Sequence, residues 1–416
     1  MMIQLLFWFV VAQLFHTITG SLLIPASISN LPVQDPWYSA PEGWANTRPG
    51  AILRQRKTHD NITTLYGASQ AYNLLYRTTN SLHEPSWAVT TVLVPTTVNE
   101  TNSMLSYQIP YNSVDLNQSP SFTLRNPSYS SPSGQVYQDI HAALNMGWYL
   151  NIPDFEGHQA NFLAGISEGY ATIDSIRASL SFLKSTITVQ PTVALWGYSG
   201  GSIASEWAAE LQDQYASELK IAGIAVGGVV SNSGKALLDN ISGTAFAGLL
   251  PEGLLGLTVQ YPKAREYLLS QLKTDGVYNK TAFLAAEHLG ISEAFVLYSN
   301  QNIWDYFIHG KASISQSHVM KEIFERDGIM GQHSVPHTPM FIYKAINDEL
   351  TAIEDTDIMV QRYCKGGANI IYQRETSGNH VSEETLGSSY ALQWLKQVFL
   401  DLDNHKGCTV SNVTWS

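Results

Sequence analysis

The chain has 416 residues, of which 44% are apolar and only 14% charged, with a formal net charge of −12. That length and apolar content supply a sizeable core and exclude intrinsic disorder. The acidic balance, with no basic run and no aromatic–basic interleaving, argues against nucleic acid as a partner, because nothing would neutralise the phosphates.

The first Asp, Glu, Lys or Arg is Asp35. Leu5 to Leu14 is apolar except for Gln13 and is followed by the small residues Thr19-Gly20-Ser21. This predicts a secretory signal peptide over residues 1–20, although the amino terminus is the only positive group ahead of the apolar run. A membrane anchor would need about 18 consecutive apolar residues. Six N-x-S/T sequons, at Asn61, Asn99, Asn117, Asn240, Asn279 and Asn412, suit an extracellular glycoprotein. The two cysteines, Cys364 and Cys408, suit one disulfide in an oxidising compartment, two separate thiols being the alternative. The expected location is extracellular.

Residues 21–60, rich in Pro, Trp and Ser, read as an irregular arm. Val89–Val94 and Met104–Ile109 read as strands, the second running into the loop YQIPYNSVDLNQSP at residues 107–120. Tyr137–Tyr149 is helix-like and ends in a turn before Asn151-Ile152-Pro153-Asp154. A helix over Gly169–Leu183 and an apolar strand over Thr192–Trp196 follow. Next come Gly197-Tyr198-Ser199-Gly200-Gly201 and a helical run in which Ile203, Ala204, Trp207, Ala208 and Leu211 share one face. Ile221–Val230 is a continuous apolar run of the buried parallel type. This alternation predicts an α/β fold with a doubly wound, mostly parallel sheet.

Helical periodicity dominates from residue 232 to 325 (Lys235–Ile241, Ala264–Leu272, Thr281–Leu289, His318–Glu325). The expected organisation is an α/β core in two parts, 21–231 and 326–416, with a helical cap inserted at 232–325. The apolar, glycine-rich Thr244–Leu257 is read either as a mobile lid that meets a lipid interface or as ordinary cap packing. After the insertion, Met340–Ala345 and Asn369–Gln373 are strands and Ser388–Leu400 a closing helix.

A serine between glycines at a strand-to-helix junction has the form of a nucleophile elbow. Chance supplies G-x-S-x-G in about one chain in seven of this length, so the flanking strand and helix carry the weight. A serine hydroxyl needs a base, and the base needs an acid to hold its tautomer. In this architecture they follow in the order Ser, Asp, His, at the carboxyl ends of strands. Asp348 leaves the first strand after the insertion, with Glu349 as nearest rival and Asp355 and Asp357 further off. His380 follows the next strand, and His405 lies beyond the closing helix. The Gly200 N–H is the expected first donor to an oxyanion, and the loop at 107–120 the source of the second. No metal or cofactor is called for, since no His/Cys/Asp cluster has ligand spacing.

The segments GYSGGSIASEWAAELQ (197–212), GWYLNIPDFEGHQANF (147–162), GYATIDSIRASL (169–180), AINDEL (345–350) and SGNH (377–380) resemble those of the fungal secretory lipases, a lipase-A-like branch of the α/β-hydrolases. The resemblance begins near residue 35 and covers most of the chain. It implies a secreted serine esterase with a helical cap, acting on lipid esters, with Ser199 as nucleophile, Asp348 as acid and His380 as base. The trichothecene esterases, which remove acetyl groups, are similar, so a small ester of that kind is the alternative substrate. The family pattern places an Asp in the early loop as an oxyanion donor, and here Asn112 stands at that position. Gln118 replaces a family cysteine, which leaves Cys364 and Cys408 to pair. Asp154 is read as capping or turning the strand end after Pro153, a catalytic carboxylate being the alternative, and Tyr198 either as elbow packing or as a substrate contact. A non-catalytic binding protein on the same fold is the remaining class; it would be expected to lack a triad member. No obligate protein partner is indicated.

Overall fold

The computed structural model describes residues 30–58, 60–126, 133–185, 187–403 and 405–415. The expected signal peptide lies outside them. Ten strands form one sheet: β1 (Ile52–Lys57), β2 (Ala68–Thr79), β3 (Pro85–Pro95), β4 (Ser103–Gln108), β5 (Tyr149–Pro153), β6 (Thr192–Tyr198), β7 (Ile221–Gly227), β8 (Met340–Ala345), β9 (Ile370–Glu375) and β10 (Cys408–Val413). Their spatial order is β1-β2-β3-β5-β4-β6-β7-β8-β9-β10. Pairing is antiparallel from β1 to β5 and parallel from β5 to β10.

β6 shows why the sheet is covered on both faces. Val193 and Leu195 enter one core with Ile203 and Trp207 of the helix Gly200–Tyr215 and Ile173 and Ile176 of the helix Gly165–Leu183. Ala194, Trp196 and Tyr198 enter the other, with Ile140 of the helix Gly134–Asn145 and Trp394 and Leu395 of the helix His380–Phe399. Alternate residues point to opposite faces, so a strand between two helical layers is apolar throughout.

Several elements depart from the sequence pattern. Residues 52–57, expected within an irregular arm, form β1, and the hairpin strand β2, the short β5 and the edge strand β10 carry no clear pattern. Tyr149, expected at a helix end, starts β5, whose pattern is broken by Asn151. That side chain is fully buried but satisfied: Nδ2 donates to Ser106 Oγ at 2.8 Å and Ser175 Oγ at 2.7 Å, and Oδ1 accepts from Thr90 and Ser179 hydroxyls. The closing helix begins at His380, two turns before the expected Ser388.

The segment between β7 and β8 is helical, with its longest pieces at Leu249–Thr258, Pro262–Ser270, Ile291–Tyr298 and His318–Asp327. Its side chains Leu250, Leu254, Leu268, Phe283 and Tyr298 are continuous with the core that holds Val193. Within Thr244–Leu257 the apolar residues Leu250, Leu254, Leu255 and Leu257 are buried, so in this conformation the segment packs as core. No helix among the described residues is long and apolar enough to cross a membrane.

Cys364 and Cys408 form a disulfide that ties the helix Ile353–Lys365 to β10. Of the sequon asparagines, Asn61 and Asn412 are exposed. The other four are half-buried with engaged side chains. Asn99 Oδ1 accepts from Ser103 N, Asn117 Oδ1 from Val33 N and Asn279 Oδ1 from Ala282 N, while Asn240 Nδ2 donates to Leu350 O.

Candidate active site

Ser199 stands between β6 and the helix Gly200–Tyr215, at φ 52° and ψ −120°. An L-residue at positive φ is strained, and here the neighbours over-determine it. A β-carbon on Gly197 would lie 2.0 Å from Gly201 O, and one on Gly201 would lie 1.9 Å from Gln108 O. Only glycine permits that crossing of β4, β6 and the helix start, and the sharp turn holds the serine hydroxyl clear of the sheet.

His380 Nε2 lies 2.8 Å from Ser199 Oγ, and His380 Nδ1 lies 2.8 Å from Asp348 Oδ2. The order and loop positions expected from the sequence thus bring the three groups into one hydrogen-bonded chain. Asp348 Oδ1 accepts from Leu350 N and Thr351 N, each at 2.9 Å. Burial pushes the Asp348 carboxyl up, but the charges of His380 and Lys344 outweigh it and hold the group well below the usual carboxylate range. An ionised Asp348 requires the His380 proton on Nδ1 and leaves Nε2 as the acceptor facing Ser199.

The rivals are elsewhere or do other work. Glu349 Oε2 accepts from the His380 backbone N–H at 2.7 Å. Asp355 pairs with Lys235 and Asp357 with Arg374. His405 Nε2 sits 3.2 Å from Ile370 O. Asp154 is buried and accepts from both the N–H and the hydroxyl of Ser121, and burial pushes its carboxyl up to about 7. Tyr198 donates its hydroxyl to His380 O at 2.6 Å, so it anchors the histidine's backbone.

Asn112 lies on the loop after β4 at φ 48°, half-buried beside the elbow. Its Oδ1 is buried without a hydrogen-bond partner. The loop is tied to the helical insertion, because Val114 N donates to Glu252 Oε2 at 2.9 Å and Ser113 Oγ to Leu289 O at 2.7 Å. Gly200 opens its helix, so its N–H has no acceptor within that helix.

Two cavities meet at Ser199, His380 and Asn112. The smaller has about 40 Å³ and is walled by Phe162, Leu163, Ile203, Leu237, Ile241 and Leu249. The larger has about 560 Å³, with Gln118, Thr123, Ser292, Glu293 and Glu384 among its walls. Among the described residues no three His, Cys, Asp or Glu side chains group as metal ligands.

Residues 135–406 match the sequence profile of the family described as Secretory lipase. The chain belongs to that family. Among curated secretory lipase relatives, the Trichothecene C-3 esterase of Fusarium sporotrichioides is 43% identical over 92% of this chain and 88% of its own. The Lipase A of Arthroderma benhamiae is 34% identical over 92% and 82%. Candida antarctica lipase A superimposes with a TM-score of 0.85 at 26% identity, covering 93% of this chain and 90% of that one. The fold is therefore that of an α/β-hydrolase, and the secretory lipase described here is a carboxylic-ester hydrolase.

Sequence pattern alone does not single out Lys344. Lys344 is fully buried and gives Nζ to Asp348 Oδ2 at 2.6 Å. Its signal was a lone charge in the otherwise apolar strand MFIYKA.

Proposed function

We propose that this protein is a secreted serine esterase that cleaves a short acyl group from a bulky alcohol, with Ser199, His380 and Asp348 as its triad. His380 Nε2 takes the hydroxyl proton as Ser199 Oγ attacks the ester carbon. The carbonyl oxygen, now negative, is held by the Gly200 N–H and the Asn112 amide. Collapse of this intermediate breaks the bond to the alcohol, which leaves with the proton carried by His380. Water, deprotonated by the same imidazole, then attacks the acyl-serine and releases the acid. Asp348 holds the imidazole tautomer and offsets its transient positive charge.

The inequality of the two cavities carries the substrate reading. The apolar cavity is far smaller than its neighbour, about 40 against 560 Å³, which suits a short acyl group better than a fatty chain. The 560 Å³ cavity, with polar groups on its walls, suits a large oxygenated alcohol. An acetylated alcohol of the trichothecene kind matches that pairing in kind, and the relative with 43% identity is named for that substrate class. In this reading the helical insertion is a cap, with Leu237, Ile241 and Leu249 limiting acyl length.

Lipid esters are the second reading, favoured by Phe246, Leu249 and Phe295 on the wall of the larger cavity. A series of p-nitrophenyl esters separates the two. We expect kcat/KM to peak at acetyl to butyryl and to fall at least 10²-fold by octanoyl. Equal or better turnover of octanoyl and longer esters would overturn the short-acyl reading.

A further inference from the structure

Lys344 has no part in the chemistry described above, yet it touches the group that orients the base. It lies in β8, four residues before Asp348, and both side chains are wholly buried. A buried ammonium is costly unless each proton finds an acceptor. Here each does: Nζ donates to Asp348 Oδ2 at 2.6 Å, to Val229 O at 3.1 Å and to Thr351 Oγ1. The same Oδ2 receives His380 Nδ1 at 2.8 Å. One carboxylate oxygen is therefore shared between a fixed cation and the imidazole, while the other is held by two backbone N–H groups.

Lys344 is the cation that faces Asp348 in this cluster. Asp355, on the helix Ile353–Lys365, is paired with Lys235. Glu349 is bonded to the His380 N–H. On the helix His380–Phe399, Glu383 is pushed up to about 8 by burial and by the charges of Glu375 and Asp348, and burial also raises Glu384. Glu375, at the end of β9, is engaged by Ser377 and Gly378. Tyr198 and Tyr343 are buried and neutral. Burial lowers the Lys344 ammonium while the Asp348 charge opposes the loss of its proton, and the three acceptors around Nζ match the three protons of an ammonium.

We propose that Lys344 is a positioning residue of the esterase, which clamps the Asp348 carboxylate in the orientation His380 requires and keeps it ionised in acidic medium. The inference rests on the triad reading above. A lone Asp348 in the same burial would take up a proton more readily, and a protonated acid neither fixes the Nδ1–H tautomer nor offsets the imidazolium. The direction follows from the sign of the charge: removing the cation moves loss of activity on acidification to higher pH.

The test is the acid limb of kcat/KM on p-nitrophenyl acetate for the wild type, K344M and K344Q, with Ser199 labelling by a fluorophosphonate to count folded sites. Gln is close to Lys in length and keeps an N–H for Asp348 but no charge, so it also serves if K344M does not fold. We expect the limb to rise by about one pH unit in both variants, with a deeper loss of plateau kcat in K344M, which lacks the hydrogen bond as well. A lower plateau with the limb at the wild-type pH would assign Lys344 a merely structural role and overturn the proposal. S199A keeps the two readings apart. If S199A still hydrolyses the ester, the triad reading fails; if S199A is inert and the K344Q limb has not moved, the Lys344 proposal alone fails.

Discussion

Asn112 Oδ1 occupies a point 1.8 Å from where a β-carbon on Gly200 would stand. The side-chain amide of the loop after β4 thus reaches the first residue of the elbow helix only because that residue is glycine. Two consequences follow for catalysis. G200A must displace Asn112, and N112A removes the second donor proposed above; each is expected to lower kcat on the order of 10²-fold with a smaller change in KM. A selective rise in KM would place Asn112 in substrate binding instead.

N112D tests the same group through pH. An Asn amide donates at any pH, whereas a carboxyl donates only when protonated. The variant should retain activity at acidic pH and lose it as the pH rises and the carboxyl ionises, while the wild type is limited on its acid side only by the triad. Superimposable profiles would reject Asn112 as a donor.

The triad itself predicts a graded series. S199A and H380A should abolish fluorophosphonate labelling and turnover. D348N should retain the fold and lose on the order of 10⁴ in kcat, because an amide at that position favours the wrong imidazole tautomer. Turnover by D348N near the wild-type rate would return Glu349 to consideration as the acid.

The disulfide closes a sequence separation of 44 residues and pins the edge strand β10 to the helix Ile353–Lys365. Chain-entropy reasoning gives about 4 kcal/mol for a loop of this length. C364S/C408S is therefore expected to unfold at markedly lower denaturant than the wild type, with activity at 25 °C retained because the bridge is remote from Ser199. A loss below about 1 kcal/mol in urea titration would mean that parallel pairing of β10 with β9 holds the edge by itself.

Buried carboxyls predict where the fold is most stable. Asp154 is raised to about 7 by burial, and Glu383 to about 8 by burial and nearby carboxylates. Groups raised in the folded state bind protons that the unfolded chain has released. Their contribution is complete below about pH 4 and lost as the pH climbs through 7 to 8. Asp348 and Glu375 are held low, so their contribution is lost on strong acidification instead. Thermal unfolding should show highest stability in the mildly acidic range, with Tm falling from pH 5 to 9. D154N should flatten that fall, and an unchanged slope would remove Asp154 as a contributor.

The sequence by itself determined the elbow and the order of its partners. Gly197, Gly201 and the apolar runs on either side of Ser199 encode a local turn, and local turns are legible because the contacts that require them lie within a few residues. Asp348 and His380 were legible for the same reason, as each follows a strand with a clear pattern. Helical periodicity over 232–325 marked the insertion, and the even cysteine count marked the disulfide. Only the tertiary structure decided the rest. β5 is hidden in the sequence because Asn151 is satisfied by hydroxyls from β3, β4 and the helix Gly165–Leu183. Lys344 is invisible as a partner because its three acceptors come from the segment just after β7 and the loop beyond β8. The smaller cavity beside Ser199 is set by Phe162, Leu163, Ile203, Leu237, Ile241 and Leu249, which are separated by up to 87 positions. Periodicity reports which face of an element is apolar, but the volume left between faces is fixed only when distant elements pack.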